Sequence, residues 1–215
     1  MITLKPSHLK DTPCMFTVNA LTWDPYTNQG AVVPITVCVK PQLDKNKKDP
    51  PELLILGTMG PEMKDSMQLA TTLARQTLMG KYKRDVFDNH DILITMPEDP
   101  QYMYDGPSAG LATYTAVLGA MMDWDSNPNS AMTGHILEDG RVMRVGGVPK
   151  KLELAYSMGI TTVFVPKDSL QDLPVTEMTL TVIGVALVNQ ILELAEVPYL
   201  DGGEHEIPKK PDCDA

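Results

Sequence analysis

The chain has 215 residues, 43% hydrophobic and 21% charged, enough to bury a core in one large or two small domains. Its formal charge of −10, from 28 acidic and 18 basic side chains, repels phosphate backbones and anionic head groups, which argues against nucleic acid or membrane as a main partner. The three cysteines, Cys14, Cys38 and Cys213, form no CxxC pair and cannot all pair internally. Neither a disulfide scaffold nor a four-ligand zinc site is expected, and a reducing intracellular compartment, cytoplasm or mitochondrial matrix, fits best.

Residues 15–23 and 31–39 are rich in Val, Thr and Ile and flank DPYTNQG, a hairpin signal. Residues 40–52 crowd Lys, Asp and Pro together and read as an exposed loop. A strand is expected over 53–56. Met63, Met67, Ala70, Leu73, Ala74 and Leu78 then recur at helical spacing, with Gly80 closing that helix. DILITM, residues 91–96, reads as a strand ended by PEDP.

DGPSAG, residues 105–110, leads directly into LATYTAVLGAMM. The apolar stretch 109–122 falls short of the roughly 20 residues that span a bilayer and reads as a buried helix. Beyond it the pattern gives strand AMTGHI, turn LEDG, strand RVMRV, loop GGVP and helix KKLELAYSM with Gly159 as its cap. Strands TTVFVP and MTLTVIGV and a last helix VNQILELA complete the folded part. The first 14 residues carry neither a signal-peptide core nor an Arg-rich transit pattern, and the tail from 200 is polar and expected to be disordered. The organisation expected is an extension over 1–13, one domain over 14–199 and a tail over 200–215. Without regular βαβα alternation, that domain is α+β, with mixed, largely antiparallel strands and flanking helices.

The familiar catalytic patterns are missing: no GxxxxGK[ST], GxGxxG after a strand, HExxH or GxSxG occurs. His8, His90, His135 and His205 lie in a terminus, a loop, a strand and the tail, leaving only His135 open as a triad member. Ser108 stands out among hydroxyls. Its small neighbours Gly106, Pro107, Ala109 and Gly110 admit a substrate backbone, and it opens a helix whose first N–H groups could hold an oxyanion. The bland alternative is an ordinary N-cap serine.

Lys151 is the second candidate. Pro149 sits near the start of its helix, so Lys150 and Lys151 fall in the first turn, where the dipole disfavours a cation. From Lys151, helical spacing reaches Leu154, Ala155 and Met158, all apolar; from Lys150 it reaches Glu153, Leu154 and Ser157. Lys151 should face inward and Lys150 outward. Burial favours the neutral amine, which can serve as a base, although a snorkelling lysine is the alternative. Serine and lysine together supply a nucleophile and a base without histidine. Thr133 is a candidate to orient the amine.

These residues resemble the proteolytic domain of Lon protease, a Ser/Lys peptidase family. DGPSAG is similar to its nucleophile motif, and AMTGHI followed by GRVMRVGGVPKKLELAYSMGITTVFVPKD to its lysine segment. LGTMGPEMKDSMQLATTLARQTL resembles the preceding strand and helix, and NALTWDPYTNQG the opening strand and turn. The resemblance runs in order over roughly residues 15–198. It implies a serine endopeptidase with Ser108 as nucleophile, Lys151 as general base, Thr133 contacting that lysine, and Asp105, Gly106 and Pro107 in the loop controlling the oxyanion region. It also implies a flexible polypeptide substrate, a ring-shaped homo-hexamer and an ATPase module that this chain does not contain; no metal or cofactor is expected, and the isolated form should work without ATP. The rivals are a non-catalytic assembly or peptide-binding module and a viral polyprotein-processing protease.

The chain departs from the family pattern in three segments. His135 stands where glutamate is usual, Leu93 and Thr95 occupy a strand that often carries histidines, and PEDPQYMY places aromatics where small and basic residues are usual.

Overall fold

The computed structural model describes residues 13–42, 51–82, 87, 90–99, 102–173 and 179–194. Nine strands and four helices follow in the order β1 (Cys14–Asp24), β2 (Gln29–Pro41), β3 (Leu53–Leu56), α1 (Pro61–Tyr82), β4 (His90–Thr95), α2 (Gly110–Met122), β5 (Ser130–Met132), β6 (His135–Ile136), β7 (Val142–Met143), α3 (Val148–Ser157), β8 (Thr162–Pro166), β9 (Thr181–Val185) and α4 (Gln190–Leu194). Seven strands form one sheet in the order β3-β4-β2-β1-β5-β8-β9, and β6 and β7 pair separately. The α+β reading holds, and the sheet is mixed. The two long pairings, β1 with β2 and β2 with β4, are antiparallel, while the shorter pairings of β1 with β5, β3 with β4, β5 with β8 and β8 with β9 are parallel.

Alternation along the strands sorts side chains between two cores. Phe164 of β8 joins the larger cluster with Phe16, Val18, Met67 and Leu118, while its neighbours Val163 and Val165 join Leu21, Leu152 and Ala155 in the smaller one. Helices α1 and α2 therefore cover one face and α3 the other. Every residue of α2 from Gly110 to Met121 is buried, as an apolar helix enclosed by its neighbours must be. Its hydroxyls are satisfied locally: Thr113 donates to the Ala109 carbonyl at 3.0 Å and Thr115 to the Leu111 carbonyl at 2.9 Å. Tyr114 is bonded to Thr77 of α1 at 2.9 Å, and burial pushes its phenol up to about 12.

Gly119 lets α2 lie directly on β1, because a Cβ there would overlap the Phe16 ring. Gly119→Ala is expected to lower stability by about 3 kcal/mol, the upper end of the ordinary range for overpacking a closed core. A matched urea midpoint for the variant and the parent would show that Phe16 moves aside without strain.

Several boundaries differ from the pattern in the sequence. Helix α1 runs past Gly80 to Tyr82: Gly80 lacks the positive φ that stops a helix, and nothing lies within 4 Å of the Cβ position it leaves empty. AMTGHI is two strands, not one, since Thr133 and Gly134 leave the ladder between β5 and β6. A 3-10 turn, Pro107–Ala109, lies within DGPSAG, so Ser108 sits in that turn and α2 begins directly at the last residue of the motif, Gly110. Strand β9 and helix α4 are shorter than read. Cys14 and Cys38 are buried. Residues 43–50 of the charged loop, the first 12 residues and those from 195 lie outside the described residues. Among the described residues no helix is long and apolar enough to cross a membrane.

Candidate active site

Helix α3 begins after Gly147, whose φ of 69° lies in the left-handed region and whose Cβ position is filled by Trp23. That turn aims the first helical residues at the sheet. Lys151 is 2% exposed, while Lys150 points outward to an ion pair with Glu153 at 2.8 Å. The apolar residues three, four and seven positions on from Lys151 predict this inward direction. Lys151 Nζ donates to Thr133 Oγ1 at 2.9 Å, and Thr133 is itself fully buried. Burial of the amine lowers its pKa from 10.5 to about 8.

The residue after Thr133 holds the serine segment. Gly134 N–H donates to the Ser108 carbonyl at 2.9 Å, and Leu111 N–H donates back to the Gly134 carbonyl at 3.1 Å. One dipeptide therefore fixes both candidates, Thr133 through the lysine amine and Gly134 through the serine backbone. A Cβ at Gly134 would meet Val142 at 2.9 Å and Leu111 at 3.1 Å, so the close approach needs glycine.

Further ties run along the same loop. Ser66 Oγ of α1 donates to the Pro107 carbonyl at 3.0 Å. Asp105 Oδ1 accepts the N–H of Met63 at 3.0 Å and of Gly106 at 2.8 Å, so its carboxylate satisfies a free donor in the first turn of α1. Tyr104 pairs with the segment before α1, its carbonyl accepting Gly60 N–H at 2.7 Å and its N–H reaching the Thr58 carbonyl at 3.3 Å. Gly106, with φ 91°, makes the bend that only glycine takes readily. Neither Ser66, Gly60 nor Gly134 carried a sequence signal for this role, because each acts through backbone proximity that only the fold creates.

The N-cap alternative for Ser108 fails. Ala109 occupies the cap of α2 and no side chain bonds there, so the half-buried Ser108 hydroxyl is not spent on the helix end. The expected row of free helix donors is partly occupied as well, because Gly110 N–H bonds the Pro107 carbonyl and Leu111 N–H bonds Gly134. Among the described residues, Ser108 makes no hydrogen bond to Lys151 or to His135. His135 is half-buried in β6, paired with Met143.

A family model, Lon protease (S16) C-terminal proteolytic domain, matches residues 10–197. The chain belongs to that family. Lon protease of Fervidobacterium nodosum is 32% identical over 212 residues, covering 96% of this chain and 25% of its own length. The Lon proteases of Clostridioides difficile and Acinetobacter baumannii are 35% and 33% identical over 87% and 90% of this chain, each covered to 23%. The chain thus spans about a quarter of the length of these relatives. Membership of that family makes it a proteolytic domain of the Lon type.

Proposed function

We propose that this Lon-type domain is an endopeptidase acting through Ser108 and Lys151. The neutral Lys151 amine takes the Ser108 proton as Oγ attacks the scissile carbonyl carbon, and the Ser108 backbone N–H faces the developing oxyanion, since Pro107 has no N–H and that of Gly106 is held by Asp105. The lysine ammonium then gives its proton to the leaving amine, and water attacks the acyl ester with Lys151 as base again. The observation that carries this reading is the buried pair of Lys151 and Thr133, adjoining the backbone that holds Ser108. A lysine with no catalytic task has little reason to be buried without a counter-ion. The Ser108–Lys151 hydrogen bond is expected to form when substrate binds, as catalytic hydrogen bonds commonly tighten in the complex. Short flexible peptides need no unfolding, so the isolated chain works without ATP. A homo-hexameric ring and an ATPase module are the partners this reading supplies for folded substrates.

The test is hydrolysis of an unstructured fluorogenic peptide against pH, without nucleotide. Only the neutral amine is a base, so kcat/KM should rise about tenfold per pH unit below the Lys151 pKa of about 8 and level off above it. A flat profile between pH 6 and 9 would remove Lys151 from that role.

A further inference from the structure

A cleft of about 300 Å³ opens between the start of β2, at Gln29, Gly30 and Ala31, and the arm that leads to Ser108, at Asp99, Tyr102 and Tyr104. Its size is at the lower end of the range for ligand pockets, suited to one long side chain and not to a folded partner. The two tyrosine rings meet edge to face, with centroids 4.8 Å apart. Partial burial raises both phenols, with the negative field of Asp24 adding to it at Tyr102 and that of Asp99 at Tyr104.

Two features connect the cleft to a peptide substrate. Strand β4 begins its pairing with β2 only opposite Thr36, so among the described residues Gln29 to Ile35 have a strand neighbour on the β1 side alone. Such an open edge is where an extended peptide adds to a sheet. Tyr104 lies four residues before Ser108, a span of at most about 14 Å, which an extended substrate crosses in about four residues.

We infer that this cleft is a specificity pocket that seats a lysine or arginine side chain of the substrate, within about four residues of the bond cleaved. Aromatic faces attract a cation through the ring quadrupole, and the Asp99 carboxylate in the cleft lining accepts its N–H donors. A leucine gains only the ring contacts, and a glutamate is repelled. The overall charge of −10 draws basic segments toward the surface in the same sense. The inference rests on Ser108 being the point of cleavage.

The experiment uses internally quenched peptides identical except at one position, which carries Lys, Arg, Leu or Glu and is moved through the four residues on either side of the cleavage site. At one position Lys and Arg should raise kcat/KM about tenfold over Leu, with Glu lowest. That ratio should collapse toward one in Asp99→Asn and in Tyr102→Leu, and shrink as salt is raised. Binding of the same peptides to Ser108→Ala, followed by fluorescence anisotropy, keeps the two readings apart. Hydrolysis with no basic preference at any position, or a preference that both variants retain, overturns the pocket and leaves the dyad. Tighter binding of the Lys peptide than the Leu peptide without hydrolysis by the parent chain supports the pocket and overturns the dyad, and equal binding without hydrolysis overturns both.

Discussion

Ser108→Ala is expected to abolish peptide hydrolysis, lowering kcat/KM by at least about 10³-fold, while leaving stability within roughly 0.5 kcal/mol of the parent chain. The two halves of that expectation have separate origins. The substitution removes the Oγ that would form the acyl ester. Stability is spared because the side chain is only half-buried and caps no helix. The bonds that place the segment involve the carbonyls of Pro107 and Ser108, which alanine leaves in position. Rates on a flexible peptide and a urea midpoint, measured on one preparation, check both. Parental activity would show that cleavage arises elsewhere. An unfolded variant would show that the hydroxyl has a structural task that its surroundings do not reveal.

The two groups should also fail together. If serine and lysine act as one unit, the double variant with Lys151→Met is no slower than either single one, because removing the base matters little once the nucleophile is gone. Multiplying losses would mean that each residue supports a separate route to products.

What could be read from the sequence is what depends on local period. The inward direction of Lys151 followed from its neighbours at three, four and seven residues, and the burial of α2 from an apolar run too short for a bilayer. The hairpin and the strand over Leu53–Leu56 followed from β-rich runs between turn signals. What depended on distant backbone could not be read in this way. Gly80 looked like a stop, yet a glycine ends a helix only if the chain turns there, and α1 continues. Thr133 and Gly134 sat in what read as one strand, although their departure from the ladder is what lets one hold the lysine and the other the serine. Asp105 was placed in the oxyanion loop by resemblance. Its bond to Met63 N–H at the start of α1, some 42 positions back, is a tertiary contact that no spacing rule contains.

Lys151→Met is expected to make the protein more stable while removing its activity. The amine is 2% exposed and its pKa falls from 10.5 to about 8 through burial, so at pH 7 the folded chain carries a charge in a site that disfavours it. The sign follows from proton counting. Between pH 8 and 10.5 the unfolded chain holds a proton on this lysine that the folded chain has released, so stability rises with pH across that window. The rise amounts to roughly 3 kcal/mol at 1.36 kcal/mol per unit of displacement, and below pH 8 the whole of it is missing. Methionine has similar length and no charge, and its substitution gives up the bond to Thr133, worth about 1 kcal/mol. The variant should therefore be more stable than the parent by about 2 kcal/mol at pH 7 and should lose that advantage by pH 10.5. Urea midpoints of both chains at the two pH values test this, since every other titrating group is common to the pair and cancels in the comparison. A constant difference would mean that the amine reaches water when charged. A difference that closes with rising pH, beside a silent peptide assay, is the trade expected of a site that keeps a strained lysine for its chemistry.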